Sequence, residues 1–180
     1  IATEKPEEIS NHIIYTGNLG KPQNIQSFID KLNKSIIPFK LTIYGSGSEY
    51  ETILNFRSKF IEVNQYTPRS QIIDETKDVP FALVSLSSEI TVEGFPGKTF
   101  DYLKMNKILI GYSNPNSGLA KFIEEYNVGI NIDPNIENFD EELKKLDNKE
   151  SLEKIYKNIE NVNNNIANIK AVAKSYSDLI

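Results

Sequence analysis

The chain contains no cysteine, which excludes disulfides, thiolate metal sites and a cysteine nucleophile. Arginine is nearly as scarce: only Arg57 and Arg69 occur, and the formal net charge is −5. There is no basic stripe to neutralise a nucleic-acid backbone, so nucleic acid is not an expected partner. No stretch approaches the roughly 18 consecutive apolar residues of a membrane span. The opening I-A-T-E-K-P-E-E-I-S also lacks the charged-then-apolar order of an export signal. These absences lead us to expect a cytoplasmic protein with no transmembrane segment, at most peripheral to the inner face of a membrane. A start at Ile1 without methionine reads as an excised piece, with residues 1–11 a linker remnant and a partner domain upstream.

What remains is the composition of a folded domain, 39% apolar and 25% charged over 180 residues, enough for one domain with an appendage. Short β-branched or aromatic runs recur at residues 12–16, 39–44, 59–63, 81–86, 107–112 and 128–132. Amphipathic stretches near 22–34, 48–56, 68–76, 97–105, 117–126 and 137–146 separate them. In the first stretch Ile25, Phe28, Ile29 and Leu32 share one helical face, and Pro22 suits a first turn. This alternation predicts an α/β fold: a Rossmann-like, doubly wound parallel sheet of about six strands with helices on both faces, spanning residues 12–146. Too few units are present for an eight-stranded barrel. From 147 to 180 an apolar stripe, Ile155, Ile159, Val162, Ile166, Ile169, Val172 and Tyr176, predicts C-terminal helices packed on this domain or on an absent one.

In such sheets ligands bind beyond the carboxyl ends of the strands, so the loops after each run are the candidates for chemistry. Two familiar phosphate signatures fail. After Gly45-Ser46-Gly47 the third glycine of a dinucleotide fingerprint would fall at Tyr50, and a P-loop ending in Gly97-Lys98-Thr99 would need glycine where Val92 stands. The physics behind them still applies, because glycine at a helix start lets an anion approach free N–H groups. Gly97 opens one helix, and Gly17-Asn18-Leu19-Gly20-Lys21 forms a second flexible loop with a lysine. Glu93 and Asp101, with seven residues between them across the loop and helix E-G-F-P-G-K-T-F-D, suit two contacts to one ligand; on spacing alone a turn cap and a solvated helix residue fit better. The one histidine, His12, precedes a strand and reads as structural.

Five blocks in order then resemble the carboxyl-terminal domain of the group 1 retaining glycosyltransferases of GT-B fold. They are I-I-Y-T-G-N-L-G-K, L-T-I-Y-G-S-G-S-E, V-N-Q-Y-T-P-R-S-Q, E-G-F-P-G-K-T-F-D-Y-L-K-M-N-K-I-L-I and L-A-K-F-I-E-E-Y-N-V-G-I-N-I-D-P. The resemblance implies binding of a nucleoside diphosphate sugar and its retaining transfer to an acceptor hydroxyl, in bacterial polysaccharide or glycoconjugate synthesis. It implies Glu93 as the catalytic residue at the sugar hydroxyls. Backbone N–H groups of Phe95, Pro96's successor Gly97, and Lys98, with Thr99 beside them, would hold sugar and diphosphate. Asp101 would bind the ribose, Gly17, Asn18, Gly20 and Lys21 would lie at the diphosphate with the turn of Gly45 and Gly47, and Tyr66, Thr67, Pro68 and Arg69 would hold the base. No metal and no cofactor are implied, and the sequence has no D-x-D motif.

Three departures from the family pattern stand out. Asp101 replaces a glutamate, Asn18 stands where many members carry arginine, and Lys104-Met105-Asn106-Lys107-Ile108 replaces a small-residue segment. The family's acceptor site lies in an amino-terminal domain, so the chain alone is expected to bind donor without transferring sugar. Two other readings are a nucleotide-sugar 2-epimerase half and a non-catalytic sugar-nucleotide-binding module.

Overall fold

The structure, a computed structural model, describes residues 4–6, 9–65 and 67–165. Tyr66, and Ile166, Ile169, Val172 and Tyr176 of the apolar stripe, lie outside the described residues. Each β-branched run forms a strand: β1 (His12–Asn18), β2 (Lys40–Ser46), β3 (Ile61–Asn64), β4 (Phe81–Ser85), β5 (Ile108–Tyr112) and β6 (Gly129–Ile132). They make one parallel sheet in the order β3-β2-β1-β4-β5-β6. β4 and β5 are buried along their whole length, which is why F-A-L-V-S and I-L-I-G-Y read as continuous apolar runs rather than alternating ones.

The connecting helices are α1 (Ile25–Lys34), α2 (Tyr50–Leu54), α3 (Arg69–Glu75), α4 (Lys98–Lys104), α5 (Gly118–Tyr126) and α6 (Phe139–Lys144), followed by α7 (Lys149–Asn164). The chain winds outward from β1 to β3 and then, in the opposite direction, from β4 to β6. Right-handed crossovers therefore place α1 and α2 on one face and α4 and α5 on the other. Two stretches that read as single helices are broken. Residues 22–34 divide into a 3-10 turn at Lys21–Gln23 and α1, because Asn24 takes a left-handed φ of 49° between them. Residues 137–146 divide into α6 and a 3-10 turn at Lys145–Asp147.

Ile25, Phe28, Ile29 and Leu32 of α1 are buried, and Phe28 sits edge-on to Tyr112 at 5.2 Å and to Phe139 at 5.6 Å. α7 begins on Asn148, whose side chain accepts from the Ser151 N–H at 3.0 Å, and buries Leu152, Ile155, Tyr156, Ile159 and Val162. Two asparagines fasten it to the sheet domain: Asn163 donates to the Leu103 carbonyl at 2.8 Å and Asn158 to the Asn127 carbonyl at 3.0 Å. Truncating a fully buried residue of this face, Ile159→Ala, removes about 2–5 kcal/mol. Among the described residues no helix is long and apolar enough to cross a membrane.

Candidate functional site

The winding direction reverses between β1 and β4, and the two strands part there. β1 and β4 pair only at Ile13 with Phe81 and Ile14 with Ala82, whereas β1 follows β2 to Asn18 with Ser46 and β4 follows β5 to Ser85 with Tyr112. A parallel sheet that reverses in this way leaves a crevice beyond the carboxyl ends of its strands, where ligands of doubly wound proteins bind. Beside it lies a cleft of about 390 Å³. Of the residues singled out from the sequence, Gly17, Asn18, Gly45, Thr67, Arg69 and Asp101 line this cleft. Four segments distant in sequence thus meet at one sheet edge.

The glycines of the first two loops are set by chain packing. A side chain on Gly45 would run into the Gly17 carbonyl, and one on Gly47, whose φ is +149°, into the Leu19 carbonyl. The close approach is held by Leu19 N–H donating to the Ser46 carbonyl at 2.8 Å and Glu49 N–H to the Leu19 carbonyl at 2.9 Å. Gly20 donates its N–H to Gln23 Oε1 at 3.2 Å, and the Asn18 amide donates to the same oxygen at 3.1 Å, so the 17–21 loop is braced internally. Lys21 is exposed on the 3-10 turn, outside the cleft lining.

The cleft's far wall is α3, none of whose residues is buried. Arg69 at its start donates to Asp101 on α4 at 2.9 Å, an exposed ion pair across the cleft worth little for stability. At its other end the Tyr44 hydroxyl donates to Glu75 Oε2 at 2.9 Å. The buried Lys107 amine donates to the carbonyls of Thr76, Lys77 and Val79 at 2.6, 3.0 and 2.7 Å. Burial lowers Lys107 to about 8, partly offset by Asp78.

The segment from Glu93 to Thr99 runs outside this cleft's lining. Its backbone is clamped to the start of α5: Gly118 N–H donates to the Val92 carbonyl at 3.0 Å, and a Cβ on Gly118 would lie 1.6 Å from the Glu93 carbonyl oxygen. The Glu93 residue itself is exposed. Phe95 is half-buried and packs on Phe100 and Phe122 at ring distances of 5.8 and 4.8 Å. Thr99 is fully buried and its hydroxyl meets no hydrogen-bond partner among the described residues. By contrast, a Cβ on Gly94 or Gly97 would meet nothing within 4 Å among the described residues, so their packing does not demand glycine at either position. The Lys98 side chain turns inward, its amine donating to the Thr16 carbonyl at 2.8 Å and lying 4.1 Å from the Tyr15 ring centroid.

The sequence did not single out Thr16, Tyr44, Ser46, Ile72, Ile73, Tyr102 and Met105, which also line the cleft. Tyr102 accepts from the Thr16 N–H at 2.7 Å, and burial pushes its phenol up to about 12. A usable signal existed for Tyr44 and Ser46, which end a strand, and for Ile72 and Ile73, apolar on a short helix with little else to bury. His12 contacts Thr42 Oγ1 at 2.9 Å, and burial with Lys40 nearby lowers it to about 4, which suits a structural residue. Among the described residues no group of three or more His, Asp or Glu side chains is placed to hold a metal.

No family model matches the chain, and no curated protein matches it in sequence. Solved structures match it in fold. A mutant of S. aureus TarM in complex with Fondaparinux, alpha-GlcNAc-glycerol and UDP superimposes with a TM-score of 0.66 at 16% identity, over 90% of this chain and 34% of that one. WaaG, a glycosyltransferase involved in lipopolysaccharide biosynthesis, gives 0.64 at 14%, over 88% of this chain and 44% of that one. The pneumococcal O-GlcNAc transferase GtfA, in complex with UDP and GlcNAc, gives 0.63 at 20%, over 98% and 38%. The chain therefore spans between a third and a half of the length of these proteins, and it has the Rossmann-like fold of the region it matches in them.

Proposed function

We propose that this chain is the donor-binding domain of a retaining glycosyltransferase, holding a nucleoside diphosphate sugar at the β1/β4 crevice while another domain holds the acceptor hydroxyl. The observation that carries the reading is the meeting of Gly17, Asn18, Arg69 and Asp101 around one cleft at the switch point, although 84 residues of sequence separate the first from the last. The neighbouring folds support it, since TarM and GtfA are held with UDP. The nucleoside lies in the cleft, with the base toward Thr67 and Arg69 and the ribose at Asp101. The diphosphate lies at Gly17 and over the open face of Gly94 and Gly97, and the sugar lies toward Glu93. No step calls for a metal ion.

Calorimetry on the two carboxylates tests this. Asp101→Ala loses a charge-assisted hydrogen bond of about 1.5–3 kcal/mol and weakens nucleoside diphosphate binding roughly 10- to 100-fold. Glu93→Gln leaves the affinity for the sugar-free nucleotide within about threefold, roughly 0.7 kcal/mol, and lowers sugar transfer by the enzyme that contains this domain. Loss of bare-nucleotide binding in Glu93→Gln with none in Asp101→Ala would reverse the two assignments and overturn the reading.

A further inference from the structure

We propose that the Lys98 side chain is the cation that holds the diphosphate of the nucleotide sugar, an inference that rests on the donor-binding reading above. β1 and β4 stop pairing after Ile14 and Ala82, so the Thr16 carbonyl beyond that point has no partner strand on the β4 side. The Lys98 amine enters the gap and takes that carbonyl at 2.8 Å. Its flank is the Tyr15 ring at 4.1 Å, and a Cβ on Gly17 would lie 3.0 Å from the nitrogen. Gly17 is exposed with φ +120° and forms part of the cleft wall, so the amine sits just behind the surface that faces the ligand.

Lys107 provides the comparison within the same molecule. It is fully buried where Lys98 is half-buried, and its three donors meet three carbonyls, which completes the ammonium's needs and makes the residue structural. Lys98 meets one hydrogen-bond acceptor among the described residues and forms no ion pair with a carboxylate. Asp101, the acidic residue on the same helix, is taken by Arg69 instead. A cation partly withdrawn from water, with donors that no protein acceptor takes and no counter-charge, is well placed to be completed by an anion. At a sheet switch point, beside a glycine-walled cleft, the fitting anion is a phosphate ester. Burial lowers the Lys98 amine to about 8 in the absence of such a ligand. The other titratable groups against it are phenols: burial raises Tyr15 above its ordinary range and Tyr102 to about 12, so neither changes charge near neutrality.

The signs follow from these values. An anion bound at Lys98 favours the protonated amine, so affinity is full below about pH 8 and falls above it, by about tenfold between pH 7 and 9. The terminal phosphate is already ionised over this window, its second pKa lying near 6. The experiment is calorimetric titration with UDP, GDP and ADP, each beside its nucleoside, on the wild-type chain, Lys98→Met and Lys98→Arg. We expect the wild type to prefer a diphosphate over its nucleoside and to lose about tenfold in diphosphate affinity from pH 7 to 9. Lys98→Met, which keeps the stem and removes the charge, should bind that diphosphate at least tenfold more weakly at pH 7, with no pH dependence and an unchanged nucleoside affinity. Lys98→Arg should retain most of the affinity. Diphosphate binding by Lys98→Met within twofold of wild type overturns the role of Lys98 and leaves the donor-binding reading standing. Absence of diphosphate binding by the wild type overturns both. Should Lys98→Met not fold, the wild-type profile decides, and a flat one from pH 7 to 9 refutes the proposal.

Discussion

Gly118→Ala tests whether the Glu93 loop is held from behind by α5. The added Cβ would sit 1.6 Å from the Glu93 carbonyl oxygen and 2.9 Å from its Cα, and both are backbone atoms with no rotamer to change. Even a tight contact of 3.0 Å requires the loop to retreat by about 1.4 Å, the difference between those two separations. The Gly118 N–H to Val92 carbonyl bond, 3.0 Å long, stretches with that retreat. Overpacking of this kind costs about 1–3 kcal/mol. In a chain of this size that lowers the thermal midpoint by roughly 3–9 °C. Gly94→Ala and Gly97→Ala are the matched controls on the same segment. Their Cβ atoms meet nothing within 4 Å, so their midpoints should stay within about 2 °C of wild type. Melting curves of the three variants, with amide NMR shifts over residues 90–97, provide the assay. Gly118→Ala melting with the wild type and leaving those amides unmoved would refute the clamp, as would equal losses in all three.

Gly97→Val should leave the melting midpoint unchanged, because its side chain points into open space, yet weaken a nucleoside diphosphate tenfold or more while the nucleoside stays within threefold; equal losses measured by calorimetry would mean that the phosphates lie elsewhere. Lys107→Met strands three carbonyls in the core and should cost about 2–4 kcal/mol in urea unfolding, a loss that an effect under about 0.5 kcal/mol would contradict. His12 is lowered to about 4 in the folded protein against 6.5 ordinarily, so as pH falls the unfolded chain takes its proton first. Stability should therefore fall from pH 6.5 to 4, with no contribution from this group above 6.5, and His12→Gln should flatten that part of the melting profile.

The architecture was legible because its signals are local. Each strand lies within two residues of a β-branched run, and the periodic apolar positions of α1 and α7 are the ones buried. Glycine placement also pointed to the sheet edge where the cleft lies, although Gly45 and Gly47 answer to chain packing, whereas Gly97 is free of it. What stayed hidden depends on contacts across long separations. Arg69 and Asp101 were read for base and ribose separately, but they are 32 residues apart and pair with each other. Lys98 was read for its backbone N–H, yet its side chain reaches back 82 residues to Thr16. Neither periodicity nor spacing reports which way a long cationic side chain turns. Asn24 splits the first helix for a similar reason: asparagine tolerates left-handed φ but does not announce it.

The central claim is that the β1/β4 crevice receives a nucleoside diphosphate sugar. It is tested most directly by NMR titration of the isotope-labelled chain with a panel of nucleosides, nucleoside diphosphates and nucleotide sugars, in the presence and absence of chelator. Saturable binding of at least one diphosphate or its sugar is expected, unaffected by chelator, with the largest amide shifts at Gly17, Asn18, Arg69, Gly97 and Asp101. Failure of the whole panel to bind, or shifts confined to residues away from this crevice, would contradict it.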